Sequence, residues 1–314
     1  MVIIGCKEYL SKHLISLLLE KGINATEIIP LDLHQYKGEI FTVKNEIFKI
    51  NALDEFDFNK KCILFLCRAP LLPKEIGNQN YLIDCTGLLG KAPCIIPFLN
   101  KEQIFKTKNK MLCNPTSIAI TLTLTLTALQ KCEQIKNACV TALLSTSEFG
   151  NKFSKELWDQ TRSFYTQEEL NLSDLDYKIA FNVIPEISEK LMSRSIEQIK
   201  CLTQIPIYLT TALVPVFEGH CFFLYWVFEQ KRTFKQIKEC FNENPLIEFL
   251  DETKPHSKAT PIDTFLESKL YISDLKENKN LKNTYSCWIV ANNLRFGQAL
   301  NAVNIALEIL KNSL

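Results

Sequence analysis

Short apolar runs alternate along the first third of the chain with stretches of helical period. Val2-Ile3-Ile4-Gly5 is an apolar run closed by glycine, the pattern of a buried parallel strand. Leu10, Leu14, Ile15, Leu17 and Leu18 then recur at helical spacing as far as Lys21, with Gly22 placed to end the helix. Cys62-Ile63-Leu64-Phe65-Leu66 and Tyr81-Leu82-Ile83-Asp84 predict two further buried strands. Strands alternating with helices predict a doubly wound α/β domain, with its ligand crevice at the carboxyl ends of the strands.

The middle of the chain is harder to read. From Ile118 to Leu129 threonine and leucine alternate, which is a strand pattern. The length of that stretch, and its start after Asn114-Pro115-Thr116-Ser117, also suit a buried helix capped by a hydroxyl residue. Beyond it, Ala138–Ser145, Ile207–Pro215, Cys221–Phe228 and Cys287–Val290 read as strands. Lys152–Tyr165 and Gln298–Leu310 read as helices, and Asp274–Asn283 as a polar, lysine-rich loop. Strands dominate here, so a second domain of α+β type with a mostly antiparallel sheet is expected.

Composition narrows the function classes. Apolar residues make up 46% of 314, enough for large cores and too many for a disordered chain. The formal net charge of +1 argues against a protein that coats nucleic acid or an anionic membrane. No apolar run reaches the roughly 18 residues of a membrane helix, and the first ten residues read as a strand instead of a signal peptide. A cytoplasmic location is expected, in which the 12 cysteines are reduced and serve mostly as small core residues. Cys62 and Cys67 have no second pair or nearby histidine, so no metal site is expected.

Four segments in order carry a resemblance. They are Ala180-Phe181-Asn182-Val183-Ile184-Pro185, Val214-Pro215-Val216-Phe217-Glu218-Gly219-His220, Thr260-Pro261-Ile262-Asp263, and Asn293-Leu294-Arg295-Phe296-Gly297 followed by Ala299-Leu300-Asn301-Ala302-Val303. Together they resemble the A-F-N-x-I-P, V-P-V-x-x-G-H, T-P and N-L-R-K-G-A-A-L-N-A-V segments of the aspartate-semialdehyde dehydrogenase family. The resemblance implies a Rossmann-like NAD(P)-binding domain over 1–117 and an α+β dimerisation and catalytic domain over 118–285. It also implies that 286–314, a strand and a helix, returns to the first domain. It decides the Thr/Leu stretch in favour of the helix. Family members use NADP to convert aspartyl phosphate to aspartate semialdehyde through a cysteine thioester.

Residue by residue, this chain departs from the family's chemistry. The nucleophile's place in N-P-x-C-S/T holds Ser117, and an isolated hydroxyl is a poor nucleophile at neutral pH. Leu144 stands where the family has its substrate glutamine, before Ser147-Glu148-Phe149-Gly150 in place of S-G-A-G. Leu213 replaces the arginine that would clamp the substrate carboxylate, and Gly90 replaces a second arginine. The phosphate turn keeps only Gly5 of its three glycines, with Glu8 and Tyr9 where phosphate would lie. Arg68 stands near the place of the second glycine-rich loop. His220 keeps the position of the family's general acid/base, or serves as a structural residue. Lys200 aligns with a substrate-contacting lysine, or is a solvated helix position, and Asn293 aligns with a cofactor-contacting asparagine. Cys113, four residues before Ser117, is a core cysteine or a displaced thiol.

The expectation is therefore an aspartate-semialdehyde dehydrogenase-like scaffold that has lost catalysis. It would act as a dimeric structural or interaction protein, a homodimer or a heterodimer with an active paralogue. The alternative is an active NADP-dependent enzyme with an altered site.

Overall fold

The computed structural model describes residues 1–87, 89–166, 177–250 and 258–312. The chain divides into two compact units. One comprises Met1–Thr116 with Gln298–Leu314, the other Ser117–Gly297.

The first unit is built on six parallel strands: β1 (Val2–Ile4), β2 (Ile29–Asp32), β3 (Asn51–Ala52), β4 (Ile63–Leu66), β5 (Tyr81–Asp84) and β6 (Met111–Cys113). Their spatial order, β3-β2-β1-β4-β5-β6, is the doubly wound arrangement expected from the sequence. The central strands β1 and β4 are unbroken apolar runs, β2 and β5 are apolar up to a closing buried aspartate, and Val2, Ile4, Leu31, Leu64, Leu66 and Leu82 form one buried cluster. Helix α1 (Tyr9–Glu20) follows β1 directly. The chain leaves it through Lys21 and Gly22, with Ile23 N–H bonded to Leu18 O at 3.0 Å. Between β2 and β3 a hairpin, Ile40–Val43 against Glu46–Lys49, stands in place of a helix.

The second unit opens with helix α2 (Ser117–Cys132), which settles the Thr/Leu stretch as a helix. Its leucines and most of its threonines are buried. Two of the hydroxyls bond back one turn, Thr125 Oγ1 to Thr121 O at 2.9 Å and Thr127 Oγ1 to Thr123 O at 2.7 Å, while the buried Thr123 hydroxyl finds no partner among the described residues. Seven strands follow: β7 (Ile135–Leu144), β8 (Ile184–Pro185), β9 (Ile207–Leu213), β10 (His220–Phe228), β11 (Ile247–Phe249), β12 (Leu270–Glu277) and β13 (Thr284–Ala291). They form one mixed sheet in the order β8-β9-β7-β10-β13-β12-β11. Only β7/β9 and β11/β12 run parallel. The other helices of more than one turn among the described residues are α3 (Asn151–Thr166), α4 (Glu189–Thr203), α5 (Phe234–Asn242) and, returned to the first unit, α6 (Leu300–Lys311).

Helices α2 and α4 pack on this sheet through β7 and β9. On β10, Phe222, Leu224, Trp226 and Phe228 are buried, while Phe223 and Tyr225 remain 42% and 45% exposed on the opposite face. Register carries that open face across the strands. Tyr208, Cys139 and Tyr225 share one row, and Thr210, Thr141, Phe223 and Trp288 the next.

Two expectations are corrected. The strand near 286 belongs to the second unit, because β13 pairs between β10 and β12; the return to the first unit begins at Gln298. Asp274–Asn283 is not all loop, since its first residues complete β12. A register shift between Ser273 and Lys276, with Asp274 at φ +55°, interrupts the alternation that would have marked a strand.

Candidate functional site

Three of the motif segments converge at one end of the second sheet. Gly219 lies at φ +95°, and a Cβ there would sit 2.9 Å from Cβ of Pro261, so the turn before His220 closes against the Thr260-Pro261 segment only with glycine. Asn292 Nδ2 donates to Glu218 Oε2 at 3.2 Å and to Phe265 O at 3.0 Å, which ties the Asn-Leu-Arg segment to both. His220, the first residue of β10, is thereby fixed at the sheet's end and is 1% exposed.

The ring of His220 is held from both sides. Ser145 N–H donates to Nδ1 at 3.1 Å, and Nε2 lies 3.0 Å from Glu148 Oε2. A nitrogen that accepts from a backbone N–H carries no proton, so the proton sits on Nε2 and points at Glu148. Ser117, at the start of α2, donates its hydroxyl to the same Glu148 Oε2 at 2.7 Å. Asn293 Nδ2 adds a contact at 3.4 Å. Burial would push the Glu148 carboxyl up, but hydrogen bonds from His220, Ser117 and Asn293 hold it below the ordinary glutamate range. Glu148 is thus a buried carboxylate ringed by donors, next to the amino end of a 16-residue helix whose dipole also favours an anion.

That arrangement decides what the residues can do. Ser117 and His220 do not face each other through a hydrogen bond; each is turned to Glu148. The carboxylate nearest Ser117 is held below its usual range, which makes it a weaker base than an ordinary glutamate. Asn293 is buried, and its Oδ1 accepts from Gly219 N–H at 3.0 Å and from the hydroxyls of Ser145 and Ser147 at 3.1 and 3.2 Å. Both ends of its amide are committed to the chain. Leu144 and Leu213, at the places of the glutamine and the arginine, are each 1% exposed and offer no polar group. Lys200 is exposed in the last turn of α4, and no hydrogen bond or ion pair described for the cluster includes it.

Sequence reasoning missed Glu148 as the centre of this cluster. Its signal was present: a charged residue in Ser147-Glu148-Phe149-Gly150, where the resembling family has only small ones.

In the first unit, Gly5 lies at φ +86°, and a side chain there would meet Arg68 Cβ at 2.6 Å. Arg68 reaches over the turn, 3.8 Å from Glu8 and 3.9 Å from Asp32. Asp32 is fully buried and accepts from the backbone N–H groups of Lys7 at 3.1 Å and of Leu33 at 2.9 Å. Burial pushes the Glu8 carboxyl up, with Arg68 opposing. The backbone donors of this turn are taken up within the chain, Gly5 and Cys6 N–H by Leu31 O and Lys7 N–H by Asp32, and Glu8 places a carboxylate at the amino end of α1. These residues do not fit the diphosphate of a nicotinamide dinucleotide. Cys113, on β6, is 4% exposed.

Comparison with known proteins agrees with the fold. Residues 126–296 match the family model described as semialdehyde dehydrogenase, dimerisation domain, which defines the class of the second unit. The aspartate-semialdehyde dehydrogenase of Rickettsia typhi is 28% identical over 331 residues, covering 99% of this chain and 98% of the relative. A probable aspartate-semialdehyde dehydrogenase structure from Pseudomonas aeruginosa superposes with a TM-score of 0.90 at 21% identity, covering 100% of this chain and 98% of that one. Aspartate semialdehyde dehydrogenase II from Vibrio cholerae gives 0.88 at 20% identity, with the same coverage of both chains. The chain belongs to the semialdehyde dehydrogenase family that this dimerisation-domain model defines.

Proposed function

We propose that this protein is a non-catalytic member of its family, a dimeric structural or interaction protein on a dehydrogenase scaffold. One observation carries the reading: the Glu148 carboxylate sits between Ser117 and His220 and engages both. Thioester chemistry needs a thiolate where this chain has a hydroxyl, and the residue at the general-base position is bonded elsewhere. The turn around Gly5 supports the same reading, since its N–H groups serve Leu31 O and Asp32 and its cation lies beside Glu8 and Asp32.

The test is direct. Purified protein is incubated with aspartate semialdehyde, NADP and phosphate or arsenate, and NADPH formation is followed by absorbance. No turnover above the protein-free blank is expected. Turnover that disappears in Ser117→Ala would overturn the reading, and turnover that survives Ser117→Ala but disappears in Cys113→Ala would replace it with an enzyme using a different nucleophile.

For dimerisation, the open face of the second sheet is the surface we assign, to a second copy of this chain. Antiparallel sheets that face water carry polar side chains there. Here Tyr208 is 67%, Phe223 42% and Tyr225 45% exposed, in the segment that matches a dimerisation domain. Light scattering behind size exclusion should give twice the chain mass, and Tyr225→Arg should give monomer. A monomeric wild type would refute the assignment.

A further inference from the structure

Outside the second unit's cluster, the carboxyl ends of the first sheet gather sulfur. Cys6 follows β1 and Cys67 follows β4, the two strands between which the strand order reverses, and Cys85 follows the next strand, β5. We propose that Cys67 and Cys85 are a reversible dithiol–disulfide couple, a modification site unrelated to semialdehyde chemistry and independent of whether that chemistry is retained.

Register brings the two together. Leu66 pairs with Asp84 across the parallel strands β4 and β5, so Cys67 and Cys85 are the next residues along. The ladder continues into them: Cys67 N–H donates to Ile4 O at 2.9 Å and Cys85 N–H to Leu66 O at 3.0 Å. Neighbouring strands lie about 4.8 Å apart. That falls inside the roughly 4.4–6.8 Å between Cα atoms that a disulfide spans, near its short end. Each cysteine thus follows its strand in step with the other, which puts the two side chains beside one another on neighbouring strands. A bridge between adjacent strands near the short end of that range is of the strained type that reduces readily, as a reversible couple requires.

The surroundings assign roles. Cys67 is half-buried and open to a small oxidant, whereas Cys85 is 7% exposed and waits beneath it. The neighbouring Cys67 and burial push the Cys85 thiol well up, so it waits as the neutral thiol; Asn114 Nδ2, donating to its Sγ at 3.5 Å, opposes that in part. Cys6 is no competitor, because its thiol donates to the buried Asp32 carboxylate at 3.8 Å. The co-reactant is a hydroperoxide. The Cys67 thiolate attacks the peroxide O–O bond, giving a sulfenic acid and releasing hydroxide, which takes up a proton to become water. The Cys85 sulfur then attacks the sulfenic sulfur, the S–S bond forms and a second water leaves. In sum, two thiols are oxidised by two electrons and one hydrogen peroxide is reduced to two waters.

The test treats the full chain with limiting hydrogen peroxide, alkylates it under denaturing conditions with N-ethylmaleimide, and maps cysteines by peptide mass spectrometry. Cys67 and Cys85 should lose maleimide labelling together, appear as one linked peptide pair in excess over every other cysteine pair, and regain labelling after dithiothreitol. Cys85→Ala should stop the reaction at a dimedone-trapped sulfenic acid on Cys67, and Cys67→Ser should leave Cys85 fully alkylated. If Cys85→Ala does not fold, the wild-type map and Cys67→Ser decide. Oxidation confined to other cysteines, or a bridge joining Cys67 to Cys6, would overturn the proposal.

Discussion

Glu148→Gln isolates the charge at the centre of the second unit. The substitution keeps the side chain's shape and one acceptor oxygen, so the donors of Ser117, His220 and Asn293 still find a partner. What they lose is the ionic character of that partner. A hydrogen bond to a charged group contributes about 1.5–3 kcal/mol, against about 1 for a neutral one. Over the contacts at 2.7, 3.0 and 3.4 Å, with the last one weak, the difference sums to about 2–3 kcal/mol. In a domain of this size that is a fall in Tm of roughly 4–12 °C at neutral pH. The sign of the pH dependence follows from linkage. The carboxyl is held lower in the folded state than its ordinary value of 4.5, so its contribution is fully present above that value. It is lost as pH falls through the folded pKa. Thermal unfolding followed by circular dichroism at pH 7 and again at progressively lower pH should show the gap between wild type and Glu148→Gln closing on acidification, because only the wild type titrates. A gap that does not change with pH, or a variant more stable than wild type at pH 7, would refute the account of Glu148 as a stabilised anion.

Further outcomes follow from neighbouring geometry. Gly219→Ala must place a Cβ 2.9 Å from Pro261 at a left-handed φ, and should cost about 1–3 kcal/mol in urea unfolding. Asn301 Nδ2 donates to Ile95 O and to Asn114 Oδ1, both at 2.8 Å. Asn301→Ala leaves those two buried oxygens unpaired and should lower stability by roughly 2–4 kcal/mol, read in the same assay. NADPH fluorescence should be unchanged by the protein, with any Kd weaker than ~1 mM, and saturable quenching at micromolar protein would contradict the closed turn at Gly5.

Much of this architecture was readable from residue order, and the exceptions have physical causes. Strands β1, β4 and β5 announce themselves as apolar runs because they lie in the middle of the first sheet, whereas β2, β3 and β6 are short or interrupted by Pro30, Asn51 and the chain's polar turns and give no such signal. Helix α2 does not. Its threonines and leucines are buried alike, so the alternation that looks like a strand carries no information about which face is wet. Strand β12 is obscured by its own irregularity at Asp274, whose carboxylate is 2.7 Å from Lys276 and 3.2 Å from Lys258, an ion-paired bulge that reads as a polar loop. In the cluster, the positions of Ser117, His220 and Asn293 were visible in the motifs. That they converge on Glu148 was not, because the spacing between 117, 148 and 220 reflects the path of the chain through the sheet and not any local period.

Just after β13 the backbone passes through a π-type turn over Asn293–Ala299, with Gly297 N–H reaching back five residues to Asn292 O at 3.0 Å. Such a turn holds one residue more than an α-helical path of the same length. Excising a single residue between Leu294 and Gln298 would let the segment relax to an ordinary helix and would shift the residues before the cut by about 100° around its axis. Asn293 would then lose its alignment with the Gly219 N–H and the hydroxyls of Ser145 and Ser147, so a one-codon deletion there should do more harm than most substitutions.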